Sequence, residues 1–395
     1  MTQADSGGTT GRYLVLLEDD SAAQGAATMA RVAGLRAAST ADFTDASAAD
    51  LFGDSDGLLL HDLGVAVMNA DSDQADALTR AAGEDGPISF VELERNVFAI
   101  ETAEAAPQAN PVDESVFTWG LQAVGAPDSK ATGAGIRVAV LDTGFHVAHP
   151  DFAGRTVVTS SFINGEDVED GHGHGTHCIG TSCGPRDPET KPGYGLAYQA
   201  EIYAGKVLSN AGSGTDGGIL AGISWAISSG CAVISMSLGA AAQPGQPFSP
   251  TFERVASRAL AQGTLIVAAA GNESERAQGR IAPVGHPANC PSIMAVGAID
   301  SAAAIADFSC GTVDNVGAVD VVGPGVDVHS SWPMPTRYRR ISGTSMATPH
   351  VAGIAALTAQ QYNARAWELW ARMSQHGRRL PLSSTDVGAG LVQAP

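Results

Sequence analysis

No stretch of the chain approaches the ~18 apolar residues of a membrane span; runs such as 265–270 have the length of a buried strand. Cysteine is scarce. Five in 395 residues (Cys178, Cys183, Cys231, Cys290 and Cys310) exclude a disulfide-dense scaffold, and the odd count points to reduced, buried thiols. Positive charge is scarce too: 22 Lys and Arg against 42 Asp and Glu leave a net charge of −20. That argues against a nucleic-acid partner, which needs basic surface to neutralise phosphates, and against an anionic membrane surface. The opening residues, MTQADSGGTTGR, lack the basic start and apolar stretch of a secretory leader. The expectation is a cytoplasmic protein or one exported by a route the sequence does not reveal. The 47 glycines follow no three-residue period, so a collagen-like rod is excluded and tight turns are expected.

Hydrophobic residues make up 44% of the chain and charged residues 16%, which is ample for a core and excludes a disordered, charge-rich polymer. At ~150 residues per domain the length suits two or three units. The acidic excess is uneven. Residues 1–114 carry 21 acidic and 5 basic residues, whereas 115–395 carry 21 and 17, so a boundary falls near 105–115.

Residues 1–11 are expected to be a disordered start. Residues 12–101 read as a small α+β unit: a strand at 13–17, a helix capped by Ser21 and running to about 35, a hairpin within 57–69, a helix capped by Ser72, and a strand at 88–100. That order, β-α-β-β-α-β, is the ferredoxin-like split βαβ pattern. Residues 102–114, TAEAAPQANPVDE, read as an exposed linker open to proteolysis. In 115–395, apolar runs at 136–141, 202–207, 232–236, 265–270 and 293–296 alternate with helical stretches at 175–183, 215–229, 251–262 and 345–362. Such alternation predicts an α/β domain: a parallel sheet with helices on both faces.

Three short segments carry candidate chemistry. Asp142 closes the run RVAVL; alone it reads most simply as a turn residue, although active sites collect at the C-terminal ends of parallel strands. Residues 170–178 hold His172, His174, His177 and Cys178. The HxHxxH spacing suits two ring nitrogens on one metal, but the Asp expected before the third His is Thr176. A single His as general base, with the others structural, reads equally well. Ser345 heads an apolar helix, where backbone N–H groups and the helix dipole can face developing negative charge; alone, it reads as an ordinary N-cap. Together the three weigh differently. A Ser hydroxyl needs a His to take its proton and a carboxylate to orient that His. The chain order is Asp, His, Ser, and no GxSxG elbow surrounds Ser345.

VAVLDTG (138–144), HPD (149–151), HGTHCIGT (174–181), YAGKVL (203–208), SMSLG (235–239), VAAAGNE (267–273) and SGTSMATPHVAGIAAL (342–357) run in one order across roughly 240 residues. In these blocks the chain resembles the subtilisin-family (S8) serine proteases; the Cys after HGTH is similar to the proteinase K branch. The resemblance implies a three-layer α/β fold and a serine endopeptidase with Asp142, His174 and Ser345 as catalytic triad and Asn272 as oxyanion donor. It implies substrate edges at Gly212, Ser213, Gly214 and at Ser237, Leu238, Gly239. Ala269, Ala270, Gly271 and Gly285 would wall a primary pocket open to large apolar side chains. Residues 12–101 resemble the family's inhibitor I9-like prodomain, an intramolecular inhibitor removed by self-cleavage within 100–114. No cofactor is implied for the chemistry. Asp151 matches a calcium ligand, with Asp187 or Glu189 as further oxygens. A monomer acting on peptide or protein substrates is expected. The rival readings are a silent peptide-binding protein and a metal-dependent hydrolase built on the histidines.

Overall fold

The computed structural model describes residues 8–42, 55–83, 86–100 and 112–395. Residues 1–7 of the expected disordered start and 102–111 of the expected linker lie outside these.

The N-terminal unit runs β1 (Thr9–Leu17), α1 (Ala22–Ala33), β2 (Ala37–Ser39), β3 (Gly57–Leu60), β4 (Val65–Met68), α2 (Ser72–Ala81) and β5 (Ile88–Ala99). Its strands lie in the order β5-β1-β4-β3-β2. The split βαβ pattern is present, with β2 added at the edge. β1 starts at Thr9, so the ordered unit begins before residue 12. α1 and α2 cover one sheet face, where Val15, Leu17, Met29, Leu59, Met68, Leu78 and Ile88 form a small core. Two expected caps are corrected. Ser21 stands at the N-cap of α1 but its hydroxyl donates to Asp19 O instead. α2 is capped by Asp71, which exchanges hydrogen bonds with Gln74 in a capping box, and not by Ser72.

The second unit opens with α3 (Trp119–Ala123) and β6 (Arg137–Asp142), followed by β7 (Val157–Ser161), α4 (His174–Cys183), β8 (Glu201–Lys206), β9 (Ser213–Thr215) and α5 (Asp216–Ser228). Next come β10 (Val233–Met236), β11 (Leu238–Gly239), α6 (Pro250–Ala261), β12 (Leu265–Ala269), β13 (Met294–Ile299) and β14 (Val321–Pro324). The hairpin β15 (Val328–Ser331) and β16 (Tyr338–Ile341) precedes α7 (Thr344–Tyr362), α8 (Ala366–His376) and α9 (Ser384–Val387).

Seven strands form one parallel sheet, β14-β13-β12-β10-β6-β8-β7. β10, β12 and β13 are wholly buried, as expected of strands covered on both faces. The chain winds outward from β6 to β8 and β7 on one side and to β10 on the other. The switch between these directions leaves a crevice at the C-terminal end of β6, where Asp142 sits.

All five cysteines are free and buried. Among the described residues no helix is long and apolar enough to cross a membrane.

Candidate active site

Asp142 ends β6 fully buried, and its Oδ1 accepts from the Thr143 N–H and from His174 Nδ1, both at 2.7 Å. His174 is the first residue of α4. Its position depends on Asp170, a buried carboxylate that takes the N–H groups of Gly173 at 2.7 Å and Thr176 at 2.8 Å, closing the orphan donors of the helix start. Asp170 also accepts from the hydroxyls of Thr143 and Thr176, and Thr143 Oγ1 in turn accepts from the Gly175 N–H. Burial pushes the Asp170 carboxyl up, but the bonds from Gly173, Thr176 and Thr143 outweigh it and hold it below the ordinary value. Thus the turn after β6 and the first turn of α4 are tied together, which sets the Asp142–His174 distance. Behind the turn, the buried Lys206 ammonium donates to Thr143 O at 2.5 Å and to Asn210 Oδ1 at 2.8 Å and pairs with Glu166 at 3.2 Å. The motifs did not reveal these roles: Thr143 and Lys206 act on backbone 32 and 63 positions away, whereas Asp170 acts within its own segment, three and six positions on.

Ser345 is the second residue of α7. Pro349, four residues on, has no N–H, so the Ser345 carbonyl lacks its helical partner. Ser237 Oγ donates to it at 2.8 Å, and the Cys178 thiol approaches at 3.7 Å. In return Ser345 Oγ donates to Ser237 O at 3.0 Å. Both Ser345 and His174 are fully buried, and His174 Nε2 has no hydrogen-bond partner among the described residues. The arrangement can run base-assisted nucleophilic chemistry once the hydroxyl turns from the Ser237 carbonyl to Nε2.

Burial pushes the His174 imidazolium down, but the Asp142 carboxylate outweighs this and holds it well above the ordinary value. Cys178 Sγ lies 3.9 Å from His174 Nδ1, and burial pushes its thiol up to about 11. Asp142, His174 and Cys178 are close enough to share a metal ion. The donor set fits one poorly: Nδ1 is already committed to Asp142 and the thiol stays protonated at neutral pH. The other histidines do not converge. His177 Nε2 donates to Val328 O at 3.0 Å, its ring packs on Trp332, and burial lowers it to about 3. His172 lies edge-on to His174 with centroids 6.3 Å apart.

Asn272 Oδ1 accepts from the N–H and the hydroxyl of Thr344, each at 2.9 Å, which fixes the amide so that Nδ2 points outward. Nδ2 donates at 3.3 Å to the carbonyl of Ile100, from the N-terminal unit. A Cβ on Gly343, at φ 155, would stand 3.0 Å from both Asn272 Nδ2 and Ile100 O, so only Gly leaves this pocket open.

β5 lies between the two edges singled out in the sequence. It pairs antiparallel with β9 on one side and with β11 on the other. The Ala99 N–H donates to Gly212 O at 2.9 Å and the Ile100 N–H to Ser237 O at 3.4 Å. The Ile100 side chain runs beside Gly239, 3.1 Å from where a Cβ would stand. Ala269, Ala270, Gly271 and Gly285 are buried, and the Gly285 N–H donates to Ala270 O at 2.9 Å.

A profile of the Subtilase family matches residues 133–379. The chain belongs to the subtilase family. It is 40% identical to subtilisin DY of Bacillus licheniformis over 258 residues, 65% of this chain and 86% of the relative. Against subtilisin Savinase of Lederbergia lenta it is 40% identical over 282 residues, 70% of this chain and 96% of the relative. Against an alkaline protease of Shouchella clausii it is 38% identical over 316 residues, 78% and 74%. It is a subtilisin-like serine endopeptidase whose substrates are peptides or proteins, and subtilases need no cofactor for the chemistry.

Structural calcium, implied by the family, does not fit at Asp151. The side chain is almost wholly buried and accepts from Tyr194 Oη at 2.7 Å, Tyr338 Oη at 2.9 Å and Arg337 Nη2 at 2.9 Å. The guanidinium supplies the positive charge that a cation would bring. The other two expected oxygens are engaged as well: Asp187 pairs with Lys191, and Glu189 lies 3.5 Å from Arg337.

Proposed function

We propose that this serine endopeptidase acts through Asp142, His174 and Ser345 and is made as a self-processing zymogen. Residues 12–101 correspond to the prodomain, 102–114 to the linker and 115–395 to the catalytic domain, with the cut falling where the first two meet, within 100–114. Asp142 orients His174 and stabilises its imidazolium, His174 takes the proton of Ser345, and the Ser345 oxygen attacks the substrate carbonyl to form an acyl-enzyme. Asn272 Nδ2 stabilises the oxyanion.

The observation that carries this reading is the Ile100 carbonyl, held by Asn272 Nδ2 at 3.3 Å at the end of a strand laid antiparallel between Ser213–Thr215 and Leu238–Gly239. A substrate bound for attack needs that placement: extended, held by main-chain bonds, with its carbonyl oxygen on the oxyanion donor. The bond to be cut is then Ile100–Glu101. The main-chain pairing supports broad specificity, and the apolar Ile100 beside Gly239 supports a preference for large apolar residues before the cut.

Intact-mass measurement of the wild-type chain and Ser345→Ala, after hours at neutral pH, tests this. The wild type should yield a fragment beginning at Glu101 while the variant stays whole. Equal cleavage of both would assign the cut to another protease and remove the support for Ser345.

A further inference from the structure

The groove continues past the edges that hold the four residues before the cut. Val97 is fully buried, Asn96 pairs with Thr215, and Arg95, sixth before the scissile bond, meets Asp216 at the start of α5. Asp216 is itself fully buried. Its Oδ2 accepts the Arg95 backbone N–H at 3.0 Å, and the Arg95 guanidinium lies 3.6 Å from the same oxygen. Its Oδ1 is 2.8 Å from His286 Nε2. His286 is immobilised by exchanging backbone bonds with Ala240 and by edge-on packing against Phe252.

We propose that Asp216 selects substrates with a cationic side chain at the sixth residue before the scissile bond. The inference rests on reading Ile100–Glu101 as that bond. Antiparallel pairing fixes the register of any extended substrate, so its sixth residue reaches Asp216 as Arg95 does. The guanidinium of Arg95 has a second carboxylate, Glu92, at 3.2 Å. Glu92 departs with the N-terminal unit, while Asp216 stays with the enzyme. Once the tail has gone, Asp216 keeps the His286 bond and loses both the N–H and the cation on Oδ2. A carboxylate in that state favours a ligand that restores both. Recognition is thereby divided: apolar side chains near the cut, and positive charge at the far end.

The test uses the processed enzyme and two peptides, Arg-Asn-Val-Phe-Ala-Ile-Glu extended at both ends and the same peptide with Gln in place of Arg. The expected kcat/KM is about two- to tenfold higher for the Arg peptide, carried mainly by KM, as for one partly exposed ion pair. The preference should shrink as salt is raised, a readout that needs no variant. In Asp216→Asn, which keeps the side-chain size, the Arg-to-Gln ratio should fall to about one. Equal cleavage of the two peptides by the wild type, a salt-independent ratio, or an unchanged ratio in Asp216→Asn would each overturn the inference. Failure to cut either peptide would overturn the proteolytic reading of the groove and this inference with it.

Discussion

A general base must be neutral to accept a proton, and the surroundings of His174 work against neutrality. The ring is buried, which alone would favour the neutral form, but Asp142 outweighs burial and raises the imidazolium well above its ordinary value. Below that raised value most molecules carry a protonated His174 with no lone pair on Nε2. The rate of self-cleavage should therefore rise about tenfold per pH unit below that raised value and level off above it. Single-turnover conversion of freshly refolded chain, followed from pH 5 to 10, measures this. A rate that stays flat across that range would remove His174 as the base.

The residues of this chemistry were legible because each occupies a short, ordered motif; what holds them was not. Asp170 works by taking two helix N–H groups and Lys206 by holding the carbonyl of Thr143, 63 positions away. The Lys206 contact leaves no local pattern, whereas Asp170 stands three and six residues before the N–H groups it takes. At the scale of elements the same division recurs. The wholly buried strands β10, β12 and β13 and the helices α4 to α7 announce themselves by apolar composition. β7, Val-Val-Thr-Ser-Ser, lies at a half-exposed sheet edge with little apolar signal, and β14 contains Gly and Pro; both escape a reading by hydrophobic runs. The hairpin β15–β16 escapes too, and its function is to carry Arg337 and Tyr338 to Asp151. That triangle joins three separate segments, so removing the guanidinium strands a buried carboxylate with two tyrosine hydroxyls. Arg337→Met should therefore destabilise the chain at neutral pH. In the wild type, burial acts to raise Asp151, but the bonds from Tyr194, Arg337 and Tyr338 leave it below the ordinary value. The stability so contributed is present above the ordinary carboxylate range and lost as pH falls through the lowered value. Urea unfolding of both chains at pH 7 and pH 3 should therefore show a gap that narrows in acid. A constant gap would mean that lost packing, not lost charge, sets the cost.

Across the whole molecule, the N-terminal unit is held to the catalytic unit by carboxylates aimed at helix starts as well as by the strand in the groove. Glu92 accepts from the Ser249 hydroxyl at 2.6 Å and the Thr251 N–H at 3.1 Å, at the start of α6. Glu94, fully buried, accepts from the Gly217 N–H at 2.9 Å, at the start of α5, and from two nitrogens of Arg12 at 2.6 and 2.8 Å. Helix N-termini favour negative charge, so these contacts draw on the strong acidity of the first 114 residues. Cleavage at Ile100–Glu101 would not by itself free the groove, because Glu92, Glu94 and the main-chain ladder remain in place. On the proposed zymogen reading, activation would have two stages, a cut and a departure, with Glu94 acting on the second. Glu94→Gln removes the buried negative charge facing the α5 N-terminus, a loss on the order of 1–2 kcal/mol at the interface. The dissociation rate of the cut unit should rise by about five- to thirtyfold. Measured as the lag between appearance of the cut fragment and appearance of peptidase activity, the interval should shorten sharply in Glu94→Gln. A lag equal to the wild type's would mean that the strand in the groove alone keeps the cut unit bound, leaving the buried Glu94–Arg12 pair without a part in activation.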